Sequence, residues 1–152
     1  MNRLAVWIAT SGPAGYAPVA PGTFGSAVGL AVYFLIARLT LNEQIIAALV
    51  ITVIGVWASS IASRHFDRSD PSQVVVDEVA GQVITLVGLG QSPLMLLAGF
   101  LLFRALDIIK AWPANQLERL HGGVGIMADD VMAALYGQAI LRLIVHFLPG
   151  YL

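Results

Sequence analysis

Apolar residues in this chain come in long blocks, and short polar stretches separate them. After "APVAPGTFGS" the first block runs from about Phe24 to Leu39. Thr40 and Glu43 then form the pattern of a capping box, with Thr as N-cap and Glu three residues on. The block that follows, from about Gln44 to His65, has roughly 20 residues, enough at 1.5 Å per residue to cross a bilayer. "DRSDPSQ" interrupts. A third block starts near Asp77 and stops at "GLGQSP", and at about 12 residues it is short for a span. Ser92-Pro93 supplies an N-cap with Pro at the first helical position, and a fourth block runs to about Lys110. "AWPANQLERLHGG" reads as a loop with one short helix from Pro113. The fifth block starts at Asp129-Asp130 and ends at "FLPGYL". The pattern predicts an all-α bundle of about five apolar segments in one domain over residues 1–152.

Composition turns that bundle into a membrane candidate. Charged residues are 11% and hydrophobic ones 58%, where an ordinary soluble domain is roughly 25% charged. The mean hydropathy is +0.82. Net charge is −1, so no basic footprint points to nucleic acid. There is no cysteine, which excludes thiol catalysis, thiolate metal sites and disulfides. The opening "MNRLAVWIATSGPAG" does not read as a cleavable signal peptide.

The charges are few but not scattered. With consecutive helices antiparallel, fourteen of the seventeen fall at one end of the bundle, Glu118 and Arg119 among them. Arg38 and Glu43 lie at the other end, and Arg142 lies inside the last block. Lys and Arg number six against one between the two ends, Arg142 set aside. By the positive-inside rule the charged end faces the cytoplasm.

Four stretches there carry candidate chemistry. "VVVDEVAGQVIT" sets Asp77 and Glu78 among valines. They read either as acids favoured at a helix N-terminus or as a site for a hard cation, since ionised carboxylates are costly to bury unless paired or bound to a cation. Gly81, one turn on, leaves room for a ligand or another helix. Arg104, Asp107 and Lys110 repeat at i, i+3 and i+6 within one helical stripe about 120° wide. They read as a salt-bridge ladder, or as a phosphate clamp with Asp107 sharing a metal. In "HGGVGIMADD" the glycines read as a flexible loop or a tight turn. Asp129 can serve as an N-cap, which leaves Asp130 unexplained. Thr23 and Ser26 stand at the head of the first helix, as a turn with a cap or as anion-binding groups. Five acids with Arg and Lys nearby suggest phosphoryl chemistry on Mg²⁺, which takes oxygen ligands and usually bridges to substrate phosphate.

"APGTFGS", "DPSQVVVDEVAGQ", "FRALDIIKAWPANQLE" and "HGGVGIMADDVMAALY", in that order, resemble the motifs of the phosphatidylglycerophosphatase A family over nearly the whole chain. The resemblance implies an all-helical bacterial inner-membrane enzyme that needs Mg²⁺. It implies hydrolysis of the phosphomonoester of phosphatidylglycerophosphate, in phospholipid synthesis, to phosphatidylglycerol and phosphate. Asp77 and Glu78 match the family's Asp-Glu motif, Asp129 and Asp130 its Asp-Asp motif. Arg104, Asp107 and Lys110 fall in a third, where Ala111 replaces a usual Pro. Together these predict Asp77, Glu78, Asp107, Asp129 and Asp130 as catalytic acids, with Asp77, Glu78, Asp129 and Asp130 on the metal. Arg104, Lys110 and Thr23 are predicted to bind phosphate. Two rival classes stay open: a non-enzymatic membrane scaffold or channel, and a soluble helical relative that takes a small phosphorylated ligand. Nearly bare apolar span centres argue against a channel.

Overall fold

The computed structural model describes residues 2–117 and 120–147. Among these there is no strand. Seven helices follow in order: α1 (Asn2–Ala9), α2 (Pro21–Ile36), α3 (Leu41–Phe66), α4 (Val76–Leu86), α5 (Pro93–Ile109), α6 (Ala114–Leu117) and α7 (Gly123–Phe147). A 3₁₀ turn over Ala14–Tyr16 joins α1 to α2. The all-α bundle and most element boundaries match the apolar pattern.

The predicted caps are in place. The Thr40 hydroxyl accepts from Glu43 N–H while the Glu43 carboxylate accepts from Thr40 N–H. Ser92 Oγ accepts from Met95 N–H, with Pro93 opening α5. Helix α4 is short because Gly88 and Gly90 follow it at φ of 74° and 85°, which turn the chain back.

This short helix is the post of the bundle. Nine of its eleven residues are buried, and α2, α3, α5 and α7 all pack on it. A stripe of glycines on α2 brings that helix closest. A Cβ on Gly25 would lie 2.8 Å from Val75 Cβ, and one on Gly29 would lie 2.7 Å from the Val79 carbonyl oxygen. Glycine is needed at both because backbone meets backbone. On α4 itself, Gly81 admits the Phe103 ring of α5, so it is a helix that uses that space.

The far end of α4 is held by polar side chains. Gln138 Nε2 donates to the carbonyls of Ile84 (2.9 Å) and Val87 (3.0 Å). Arg142 Nη2 donates to the Val87 carbonyl at 3.2 Å. Gln44 Oε1 accepts from Gly88 N–H at 2.9 Å. The one charge inside the last apolar block thus helps satisfy the Val87 carbonyl, one of those a helix C-terminus leaves open.

Two expectations need correction. Helix α1 was not anticipated, because eight residues are too few to show a clear period before "TSGPAG". It packs along α3 through Ala5 and Ala9. Helix α7 starts at Gly123, not at the Asp pair. Of the three glycines read as a loop, only Gly122 has positive φ, at 68°. Gly123 starts the helix by lying flat on α3: a Cβ there would be 2.0 Å from the Val56 carbonyl oxygen, and its N–H donates to Ser60 Oγ at 3.0 Å. Asp129 and Asp130 are therefore interior helical positions, and Asp129 is no N-cap. Of the charges assigned to the polar end, Glu118 and Arg119 lie outside the described residues.

Candidate active site

At one end of the bundle a cavity of about 340 Å³ opens between α2, α4, α5, α7 and the loop before α4. Asp77, Glu78, Asp107, Lys110, Asp129 and Asp130 all line it. Of the predicted site residues, Arg104 reaches the lining acids from behind, and Thr23 is not on the wall. Its neighbours Pro21 and Gly22 are.

Each acid arrives for a local reason. Asp77 and Glu78 occupy the first turn of α4. Asp130 comes from α7, whose backbone at that residue passes beside Gly81 of α4. Asp77 is 8% exposed and Asp130 3%. One oxygen each from Asp77, Glu78 and Asp130 lies within 4.8 Å of the others. Asp77 Oδ1, Glu78 Oε2 and Asp130 Oδ2 are buried without a hydrogen-bond partner among the described residues. The capping reading of Asp77 and Glu78 leaves those oxygens unexplained; a bound cation would satisfy them.

Two basic groups flank the acids. Arg104 Nη1 lies 2.5 Å from Asp107 Oδ2 and 3.6 Å from Glu78 Oε1. Lys110 is the C-cap of α5 at φ 48°, which swings it away from the Arg104 stripe. Its Nζ lies 2.8 Å from Asp129 Oδ2. The loop behind Lys110 is tied to α7 by the Tyr136 hydroxyl, which donates to the Trp112 carbonyl. The spacing of Arg104, Asp107 and Lys110 therefore yields one intrahelical pair, Arg104–Asp107, and two pairs across helices, Arg104–Glu78 and Lys110–Asp129.

The acids are held against their electrostatic preference. Burial pushes the Asp77 carboxyl well above the ordinary carboxylate range, and the charges of Glu78 and Asp130 push the same way. Burial also raises Glu78, while its hydrogen bond with Asp77 and the Arg104 charge oppose the rise. A divalent cation among these oxygens would remove the conflict. Asp77, Glu78 and Asp130 fit such an ion by donor type and convergence, while Asp129 beside them is paired with Lys110.

Two features were not evident in sequence. Gly22 opens the wall: a Cβ there would fall 2.0 Å from Glu78 Oε1 and 3.1 Å from Arg104 Nη1. The approach sets the start of α2, where N-cap Ala20 offers no side-chain cap, directly against the acid–base pair. Asp70, with Ser69, Pro71 and Ser72, forms the rim from a loop that reads in sequence only as a break. Its carboxylate beside Pro was the available signal.

The fold and cavity define a class: an all-helical protein with a cavity at one end of the bundle that is lined by clustered acids and flanked by Arg104 and Lys110. The chain belongs to the phosphatidylglycerophosphatase A family, which matches residues 7–145. It is 34% identical to the phosphatidylglycerophosphatase A of Escherichia coli, over 89% of this chain and 80% of that one. To the phosphatidylglycerophosphatase A of Haemophilus influenzae it is 32% identical, over 85% and 81%. It is also 38% identical, over 88% of both chains, to a Bacteroides thetaiotaomicron protein provisionally named a phosphatidylinositol-3-phosphatase. No solved structure matches the chain.

Proposed function

We propose that this phosphatase hydrolyses the phosphomonoester of phosphatidylglycerophosphate in bacterial phospholipid synthesis, with Mg²⁺ held by Asp77, Glu78, Asp129 and Asp130. The observation that carries the reading is the convergence of three carboxylates, each with a buried oxygen that lacks a hydrogen-bond partner among the described residues, beside Arg104 and Lys110. Such a cation, when bound, neutralises phosphoryl charge and lowers the pKa of a water. Arg104 and Lys110 bind the phosphoryl oxygens, which requires each to share its carboxylate partner with the substrate. The uncapped start of α2, with Thr23 in its first turn, adds backbone dipole toward the same anion. In the net reaction a water oxygen joins phosphorus as the P–O bond to the glycerol oxygen breaks, and a proton from that water ends on the glycerol oxygen, giving phosphate and the lipid alcohol. The in-line geometry is held by these groups more than by any covalent chemistry of the protein.

The lipid remains in the bilayer. Helices α3 and α7 are long and apolar enough to cross it. Apolar side chains also project outward from α2, α3, α5 and α7, including Phe34, Leu49, Leu101 and Leu143. A soluble relative would bury such a surface, so the exposed belt disfavours that rival. The excess of Lys and Arg at the cavity end supports an orientation of that end toward the cytoplasm.

The experiment is phosphate release by the purified protein in mixed micelles, with and without Mg²⁺. Phosphatidylglycerophosphate is compared with phosphatidylinositol 3-phosphate, phosphatidate and soluble phosphomonoesters. The reading expects Mg²⁺-dependent turnover that is fastest on phosphatidylglycerophosphate. Faster turnover of phosphatidylinositol 3-phosphate would reassign the substrate, and turnover indifferent to Mg²⁺ would remove the cation role.

A further inference from the structure

Helix α2 has a second face beside the glycines that it turns to α4. Thr23, Ala27, Leu30, Ala31 and Phe34 follow at i, i+4, i+7, i+8 and i+11 along one side of the helix. The last four of these, with Leu35 and with Leu96 of α5, line an apolar groove of about 480 Å³. Ala27 and Ala31 are exposed, and Phe34 and Leu35 stand beside them at 53% and 78% exposure. Leu30 and Leu96 also pack on the core of Tyr33, Leu86 and Met95, which gives the groove a solid floor.

The groove continues the wall of the charged cavity. Pro21 and Gly22, at the start of α2, line that cavity. Ala27 opens the groove about a turn and a half further along the same helix. Helices α2 and α5 run antiparallel on either side of this seam. At its head Gly22 meets Arg104, since a Cβ on the glycine would lie 3.1 Å from Arg104 Nη1. Lower down, Leu30 and Leu96 share the groove. At its foot Gln91, just ahead of α5, donates from Nε2 to the Phe34 carbonyl at 2.8 Å and closes it. Thr23, which is off the cavity wall, heads the stripe. From Thr23 to Phe34 the stripe is about 16 Å long at 1.5 Å per residue. One leaflet of the bilayer core is roughly 15 Å deep.

We propose that this groove seats one acyl chain of the phosphomonoester lipid, which enters sideways from the bilayer along the α2–α5 seam and brings its phosphate to Arg104 at the head. The inference rests on the phosphatase reading of the cavity. The spacing of Ala27 and Ala31 is also one on which membrane helices pack. A helix from a second copy, however, would leave unexplained why the groove leads to the Gly22–Arg104 contact.

The test uses the full chain in mixed micelles, with dioleoyl phosphatidylglycerophosphate at varied mole fraction. Ala27→Phe and Ala31→Phe fill the groove from exposed positions, and Val53→Phe puts the same ring on the outer face of α3. The two groove variants are expected to melt as wild type does and to raise KM about fivefold or more, with kcat within about threefold. Val53→Phe should change KM by less than about twofold. Phe34→Ala, which removes one wall, should raise KM by about threefold. On a dibutanoyl substrate, whose chains are too short to fill the groove, the groove variants should lie within about twofold of wild type. KM within about twofold of wild type on the dioleoyl lipid for both Ala27→Phe and Ala31→Phe would overturn the inference. So would an equal rise in Val53→Phe or on the dibutanoyl substrate. Loss of a dimer in Ala31→Phe, read by native mass spectrometry, would assign the groove to a second copy and overturn it as well. A wild-type chain inactive on every phosphomonoester would instead refute the proposed function.

Discussion

Helix α3 has 26 residues and α4 has 11, yet the short helix is the enclosed one. Most of α3 faces outward, with Val53 68% exposed and Leu49 60%. Helix α4, which carries two acids and a glutamine, is surrounded by four other helices. In a water-soluble protein the more apolar helix would be the inner one. The inversion makes sense where the outer solvent is hydrocarbon and the polar chemistry needs shelter from it. It also explains why α2 approaches α4 on glycines: the inner helix must be gripped closely so that its charges stay in place.

The comparison can be broken most severely at the acids. Asp130→Asn and Asp77→Asn should each lower phosphate release by about a thousandfold or more while melting at or above the wild-type temperature. Each removes a buried charge that folding does not favour and the cation needs. Activity assay and thermal melting on the same samples check this. Gly22→Ala should follow, with about 10–100-fold lower activity, because a methyl group at 2.0 Å from Glu78 Oε1 must displace the Glu78–Arg104 pair.

The next contrast is between the two helices as packing surfaces. Leu86→Ala on α4 removes a fully buried side chain and should cost about 2–5 kcal/mol. On α3, Val53→Lys should cost about 2.5–3.5 kcal/mol of membrane insertion, whereas in a soluble protein an exposed site would tolerate it within about 0.5 kcal/mol. Reporter fusions that read insertion efficiency separate the two outcomes. Leu49→Ala on the same face should be close to neutral.

The smallest expected effect is on pH dependence. The folded-state pKa values of Asp77 and Glu78 are raised, so the metal-free fold binds protons more readily than the unfolded chain does there. Their contribution favours the fold below the ordinary carboxylate range and is lost as pH rises through the raised values. Metal-free protein should therefore melt higher as the pH is lowered through that window. Added Mg²⁺ should stabilise more at the high-pH side, where the carboxylates are ionised. Melting curves with and without chelator across the window test both signs.

Much of this was legible in the chain because it is so apolar. Against that background Asp77, Glu78, Arg104, Asp107, Lys110, Asp129 and Asp130 stand out as charges with no solvent-facing excuse. The Thr40–Glu43 and Ser92–Pro93 caps mark helix starts by local chemistry alone. What stayed hidden depends on partners far away in sequence. Gly22, Gly25 and Gly29 show their use only when α4 is seen against them. Gly123 read as loop because its packing on Val56 leaves no side-chain pattern. The Lys110–Asp129 pair spans two helices.

The most direct test of the central claim is phosphate release from phosphatidylglycerophosphate by wild type and Asp130→Asn, each titrated with Mg²⁺. The account predicts saturable Mg²⁺ activation of the wild type and almost none in the variant at any concentration reached. A variant activated as well as wild type would contradict it.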